Sequence, residues 1–308
     1  MVSIVIPNYN GRFLLEDCLE SIDKNSQKPK EIIVVDNGST DDSLLFLKLN
    51  YPKVKVIKNI KNLGFAAAVN QGGKESSSGW VAVVNNDVVL DENWLAEIQK
   101  GITKYKQKNV GCFCGLVLDR TGKKIEGKGL LYRIYGKASN IGNGTKFQNT
   151  GDKENYVFGS SGAAAVYSKR AVSKAGWFDN DFFAYLEDVD LSLRLQAKGF
   201  KTVFLPKAIC YHKGGTTSRQ MGNLRERKTF ENWFYIFIKN YSSKVIFKNL
   251  PAICLERGKT FYALVRTTPV YKLPTTLGMI FLQIMLKSPK MIRKRNPIDD
   301  KLLEQITK

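Results

Sequence analysis

Three carboxylates, Glu187, Asp188 and Asp190, stand in the stretch YLEDVDLSLR, whose other residues are mostly apolar. Such a cluster is either a salt-bridged helix start or a general base with its supports. Asp190 and Arg194 are four residues apart and can pair on a helix surface, while Leu186, Val189 and Leu193 form an apolar stripe at helical spacing. Another acid, Asp36, closes the apolar run EIIVVD and leads into NGSTDD. At the carboxyl end of a parallel strand it can accept hydrogen bonds from a ribose or a base N–H. As plain structure, Asp36 and Asn37 make the turn and Ser39 or Asp41 caps the next helix. Asp87 ends VAVVNND, where a carboxylate facing phosphates can ligate Mg2+ or Mn2+, hard cations that prefer oxygen; read as structure, NND is an ordinary turn.

The elements that must position these acids alternate regularly over residues 1 to about 100. VSIVIP precedes FLLEDCLESI, EIIVVD precedes DDSLLFLKL, VKVI precedes FAAAVNQGGK, and WVAVVNND precedes NWLAEIQK. Strands alternating with helices predict an α/β fold, a mostly parallel sheet flanked by helices, with ligands beyond the carboxyl ends of the strands. The segment Asn62 to Gly72 is rich in small residues that permit close approach of a helix to a ligand or to the sheet, with Asn62 as a cap. Only Gly11 follows the first strand, so the dinucleotide fingerprint G-x-G-x-x-G is absent and NAD and FAD are disfavoured. Gly122 to Lys128 starts like a P-loop, but Gly129 replaces the Ser or Thr and no helical run follows. Residues 101 to 180 predict hairpins and a mobile loop, then a helix from about Asp188 to Lys198, stopped by Gly199, and the strand KTVFL.

The chain of 308 residues is 43% hydrophobic, enough for one substantial core, or for one core plus a small appended module. Its 48 Lys and Arg against 28 Asp and Glu give +20, which favours anionic partners. Five cysteines without a C-x-x-C pair suggest neither a disulfide framework nor a zinc ribbon, and a reducing cytoplasm is expected. The amino end MVSIVIPNYN reads as a buried strand and not a signal peptide. The longest apolar run, Leu273 to Leu286, contains Pro274 and two threonines and is too short to span a bilayer.

The ordered series VSIVIPNYNG, VDNGSTDDS, NLGFAAAVNQG, NNDV, GWFDNDFFAYLEDVDLSLRLQAKGF and HKGGTTS resembles the family 2 glycosyltransferases of GT-A fold, especially their rhamnosyltransferase-like members. The resemblance covers about residues 1 to 217. It implies a nucleotide-diphosphate-sugar donor held by Pro7, Asn8, Tyr9, Asp36, Asn37, Asn62, Gly64, Phe65, Asn70 and Asn86. It implies Asp87 and His212 as ligands of a divalent metal, Mg2+ or Mn2+, although Asn85 departs from a full D-x-D. His212 is the sole histidine, which excludes a multi-histidine zinc site. By the same resemblance Asp188 is the base of an inverting transfer and Glu187 orients the acceptor or replaces it as base. A helix start would favour the ionised form of Asp188. Of Trp177, Phe178, Phe182, Phe183 and Tyr185, one or two are expected to line the acceptor site.

The expected organisation is a GT-A domain over 1–217, with a nucleotide half 1–100 and an acceptor half 101–217, and a basic, aromatic helical extension over 218–308. The extension, with KSPKMIRKR near its end, suggests peripheral attachment to an anionic membrane face, the cytoplasmic one, or a packed tail with a solvated basic face. The expected reaction moves a hexose or deoxyhexose from a nucleotide sugar to a glycan or lipid-linked glycan. Two other classes stay open: a nucleotide-sugar-binding protein without activity, and a basic nucleic-acid-binding protein, for which no recognisable module is present.

Overall fold

The computed structural model describes residues 1–148, 151–214 and 222–307. The strands are β1 (Val2–Asn8), β2 (Glu31–Asp36), β3 (Lys55–Lys58), β4 (Trp80–Val84), β5 (Val88–Leu90), β6 (Val110–Asp119), β7 (Ile125–Gly127), β8 (Leu130–Arg133), β9 (Lys137–Asn140), β10 (Asn155–Val157), β11 (Ala164–Ser168) and β12 (Lys201–His212). The helices of the first part are α1 (Arg12–Asp23), α2 (Ser43–Asn50), α3 (Phe65–Glu75), α4 (Trp94–Lys104), α5 (Lys169–Ala175) and α6 (Glu187–Ala197). Among the described residues five more follow: α7 (Leu224–Asn240), α8 (Ser243–Lys248), α9 (Leu250–Thr267), α10 (Leu273–Arg293) and α11 (Asp300–Ile306).

The main sheet runs β10-β12-β6-β11-β4-β1-β2-β3, with β5 added beside β12 and β7 beside β6. β3, β2, β1 and β4 are mutually parallel, as the alternation of apolar runs and helices predicts. β11 enters antiparallel between β4 and β6, so the second half is mixed. The strand order turns back between β1 and β4, which opens a crevice at their carboxyl ends, the usual ligand position of an open α/β sheet. Asn8 ends β1 and Asp36 ends β2, paired in register at that edge.

From one face of the sheet Ile4, Ile6, Val34 and Val84 join Leu15, Leu19 and Trp94 of the helices in the principal core, while Val5, Ile33 and Val35 pack on the other face. A second core is shared between the two parts of the chain: Tyr132, Phe158, Phe182 and Val189 pack with Trp233, Tyr235 and Ile236 of α7 and with Tyr241 just after it. The P-loop-like stretch forms a turn and β7, and no helix follows it. The Leu273–Leu286 run is part of a longer helix than the sequence suggests, 21 residues with Pro289 inside it, just before the last turn. Among the described residues no helix is long and apolar enough to cross a membrane.

α9 and α10 keep much apolar surface in solvent. Val270 and Tyr271, at the turn between them, are 85% and 78% exposed, and Phe281, Leu282, Met285 and Leu286 lie open along α10. From Leu273 to Leu286 that helix carries no charge at all. Its opposite side is tied down: Lys287 donates to the Asp181 carbonyl at 2.7 Å, Lys290 pairs with Asp181 at 2.8 Å, and Lys294 pairs with Asp179 and Asp181.

Candidate active site

The strand ends at the crevice are joined by side-chain hydrogen bonds. Asn8 donates from Nδ2 to Asp36 Oδ2 at 3.3 Å and accepts at Oδ1 from Asn86 Nδ2 at 2.8 Å. Gly11 sits against this pair so closely that a Cβ there would come within 2.2 Å of Asn86 Nδ2. Asp36 is fully buried and also accepts from the Ser39 backbone N–H at 3.0 Å. Ser39 does not cap α2; its hydroxyl accepts from Asn10 N–H at 2.9 Å, while Asp41 accepts from Ser43 N–H at the helix start. Pro7 and Tyr9 flank Asn8, each half-buried.

One layer further, Asn37 donates to Asn62 Oδ1 and to the Gly64 carbonyl, both at 3.1 Å. Asn62 in turn accepts from Gly64 N–H at 2.9 Å, which sets the entry to α3. Gly64 has φ +88°, and a Cβ would fall 2.5 Å from the Phe183 carbonyl oxygen, so only glycine fits without strain. Phe65 follows, beside Gly162. Asn70 lies apart from this network: its amide bonds Phe178 N and O and Asn180 Oδ1, which fastens α3 to the loop before α6.

Asp87 lies just beyond β4, and the β5–β12 pairing brings His212 to it: Nε2 is 3.2 Å from Asp87 Oδ2. Asp87 Oδ1 is buried and without a partner. Burial opposes charging of the imidazole, but hydrogen bonds to Asp87 and to Glu126 outweigh it and push its pKa up to about 10. Among the described residues no cluster of three or more His, Cys, Asp or Glu forms a ready metal cage. The unpartnered oxygen beside a histidine nitrogen nevertheless suits a cation that takes most of its remaining ligands from substrate phosphate. The motif HKGGTTS continues into residues 215–218, outside the described residues.

The acid pair stands across the 159–163 loop from Asn85–Asp87. Gly162 N–H donates to Asp188 Oδ2 at 3.1 Å, and the next residue's carbonyl, Ala163, accepts from Asn85 N–H at 2.9 Å. Phe183, Tyr185 and Leu186 before it all have φ between 65° and 68°, a left-handed run without glycine that costs on the order of 1–3 kcal/mol per residue. What holds this strained turn is Asn232 of α7, whose amide reaches the carbonyls of Phe182, Ala184 and Tyr185 at 2.7 to 3.1 Å. Of the five aromatics before the acids, Phe178 and Phe182 are core, whereas Trp177, Phe183 and Tyr185 keep some exposure.

Burial raises the Asp188 carboxyl to about 6, against the bonds from Val189 and Gly162 N–H that favour its charge. The dipole argument from sequence thus loses to desolvation. Glu187 is buried, with Oε2 unpartnered, and burial together with the Asp188 charge drives its pKa well up. Asp190 and Arg194 do pair, at 2.9 Å, but not on a surface: Asp190 is fully buried and also holds Lys239 at 2.8 Å. The neighbouring Lys239–Asp179 bond, 2.7 Å, completes a buried network between α6, its preceding loop and α7. Glu126, Asn232 and Lys239 have no short-range signature in the sequence.

A mostly parallel sheet with a switch-point crevice, a mixed second half and helices on both faces defines the GT-A architecture of nucleotide-sugar glycosyltransferases. The chain belongs to glycosyl transferase family 2, which matches over residues 3–176, and is a glycosyltransferase. It is 25% identical over 242 residues to N-acetylglucosaminyl-diphospho-decaprenol L-rhamnosyltransferase of Mycobacterium tuberculosis, covering 71% of this chain and 78% of that one. Among solved structures it resembles GalNAc-T7 with UDP, GalNAc and Mn2+, at TM-score 0.60 and 16% identity, covering 79% of this chain but only 48% of that one. It also resembles the Pyrobaculum calidifontis mannosyltransferase PcManGT in complex with GDP-Man and Mn2+, at TM-score 0.57 and 14% identity, covering 99% and 85%.

Proposed function

We propose that the chain is an inverting glycosyltransferase that moves a hexose or deoxyhexose from a nucleotide-diphosphate sugar to a lipid-linked glycan. The observation that carries the reading is the opposition, across one short loop, of the Asp87–His212 pair and the high-pKa carboxylate Asp188. In this reading Asp36 and Asn8 hold the nucleoside, with Pro7, Tyr9, Asn37, Asn62, Gly64, Phe65 and Asn86 shaping its crevice. Asn70 acts from behind, by fixing α3. Asp188 accepts the proton of the acceptor hydroxyl as that oxygen bonds the anomeric carbon, and the nucleoside diphosphate leaves with the electron pair. Glu187, buried beside Asp188 with one carboxyl oxygen unpartnered, orients the acceptor. Asp87 and His212 would hold the divalent cation, which supplies neutralisation of the leaving diphosphate when bound.

The M. tuberculosis relative is named for a diphospho-decaprenol substrate, and the open face of α9 and α10 suits an acceptor presented at a membrane. Between Leu250 and Pro297 nine Lys or Arg stand against a single acid, Glu256. An uncharged apolar helix face bordered by cations is the pattern of a helix lying in an anionic lipid surface, and we place the protein on the cytoplasmic side of one. α10 is bonded to the loop that leads into Asp188, so such docking would bring lipid to the acceptor side.

Thermal shift with UDP-, dTDP- and GDP-sugars, each with and without Mn2+, tests the donor reading. One series should raise the melting temperature in a metal-dependent way, because a ligand of the native state stabilises it. No shift with any of them, alongside salt-dependent DNA binding, would turn the assignment over to a nucleic-acid role.

A further inference from the structure

Glu126 stands in the β6–β7 ribbon, in a sequence context, GKKIEGK, that is otherwise basic and gives it no obvious purpose. In that ribbon Val117 pairs with Gly127 and Leu118 with Ile125, which leaves Glu126 as the one extra residue of a β-bulge. A bulge re-aims the side chain it carries. Here Glu126 Oε2 is aimed at His212 Nδ1, 2.6 Å away, from the side opposite Asp87. Lys128 turns instead to Asp152, at 2.6 Å, and among the described residues Glu126 has no ion pair besides His212.

We propose that Glu126 is a positioning residue for His212: it takes the Nδ1–H bond, fixes the ring plane and leaves Nε2 to face the cation site beside Asp87. The inference rests on the reading of Asp87 and His212 as metal-holding residues. A carboxylate behind a metal-binding imidazole both locks the tautomer and makes the ring a better donor. His212 ends β12, and among the described residues it is β7, through Glu126, that meets its Nδ1. The bulge sets that contact at a defined height along the strand.

Mn2+ binding to the full-length protein, followed by electron paramagnetic resonance with saturating UDP, GDP or dTDP, tests this. Glu126→Ala should weaken Mn2+ by about ten- to a hundred-fold, the usual loss for such a partner, with metal-free nucleotide affinity unchanged. Glu126→Gln, which keeps an oxygen for Nδ1–H, should recover most of the difference. If Glu126→Ala binds Mn2+ as the parent does and only melts at a lower temperature, the pair is an ordinary ion pair and the proposal is overturned. Wild-type protein that binds no Mn2+ with any of the three nucleotides would overturn the metal site itself, and the role of Glu126 with it.

Discussion

Asp188 is a carboxylate whose burial raises its pKa to about 6, beside Glu187, whose pKa is pushed up as well. A general base works best with a pKa close to the operating pH, and the rise to about 6 achieves that without costing the charged form at pH 7. The pH dependence follows. Transfer should fall as pH drops through about 6, as Asp188 takes up its proton, and should level off above about 7; a rate independent of pH from 5 to 8 would remove Asp188 as base. The stability sign is opposite. A carboxyl whose folded pKa is raised contributes stability that is present below its ordinary pKa and is lost as pH rises through about 6.

The motifs on strand ends and at the start of α6 were legible because local patterning marks those places: an apolar run that stops at Asn8 or Asp36, and a turn rich in Asn, Gly and Ser that follows. Long-range partners were not. Asp190 looks like a surface member of an i, i+4 pair until Lys239, supplied by α7, buries it. Glu126 is visible only once a bulge in β7 aims it, and Asn232 only once α7 lies under the strained turn. At the same scale, the apolar face of α10 predicts binding to vesicles. The protein should float with vesicles containing phosphatidylglycerol more than with pure phosphatidylcholine. Replacing Phe281 and Leu282 by Glu should weaken that by about ten-fold or more, since each buried side chain is worth about 1.5–3 kcal/mol. Equal, weak flotation on both vesicles, or a dimer that the same substitutions dissolve, would mean that lipid does not cover this face.

Over the whole molecule, the extension and the GT-A part are not merely adjacent. They share one core, and α7 supplies both the amide that steadies the strained turn and the lysine that neutralises Asp190 and Asp179. Breaking a buried pair of this kind strands a charge and costs on the order of 3–5 kcal/mol, and the bonds from α7 and α10 fix the loop that leads into Asp188. The strong positive charge that the sequence announces is concentrated in part on these helices, beside apolar surface. The central claim, proton removal by Asp188 opposite a cation-held diphosphate, is met most directly by measuring donor binding and sugar transfer in Asp188→Asn. Nucleotide-sugar affinity should be unchanged while transfer falls by about 10²- to 10⁴-fold. Transfer at the parent rate, with donor binding intact, would contradict the account.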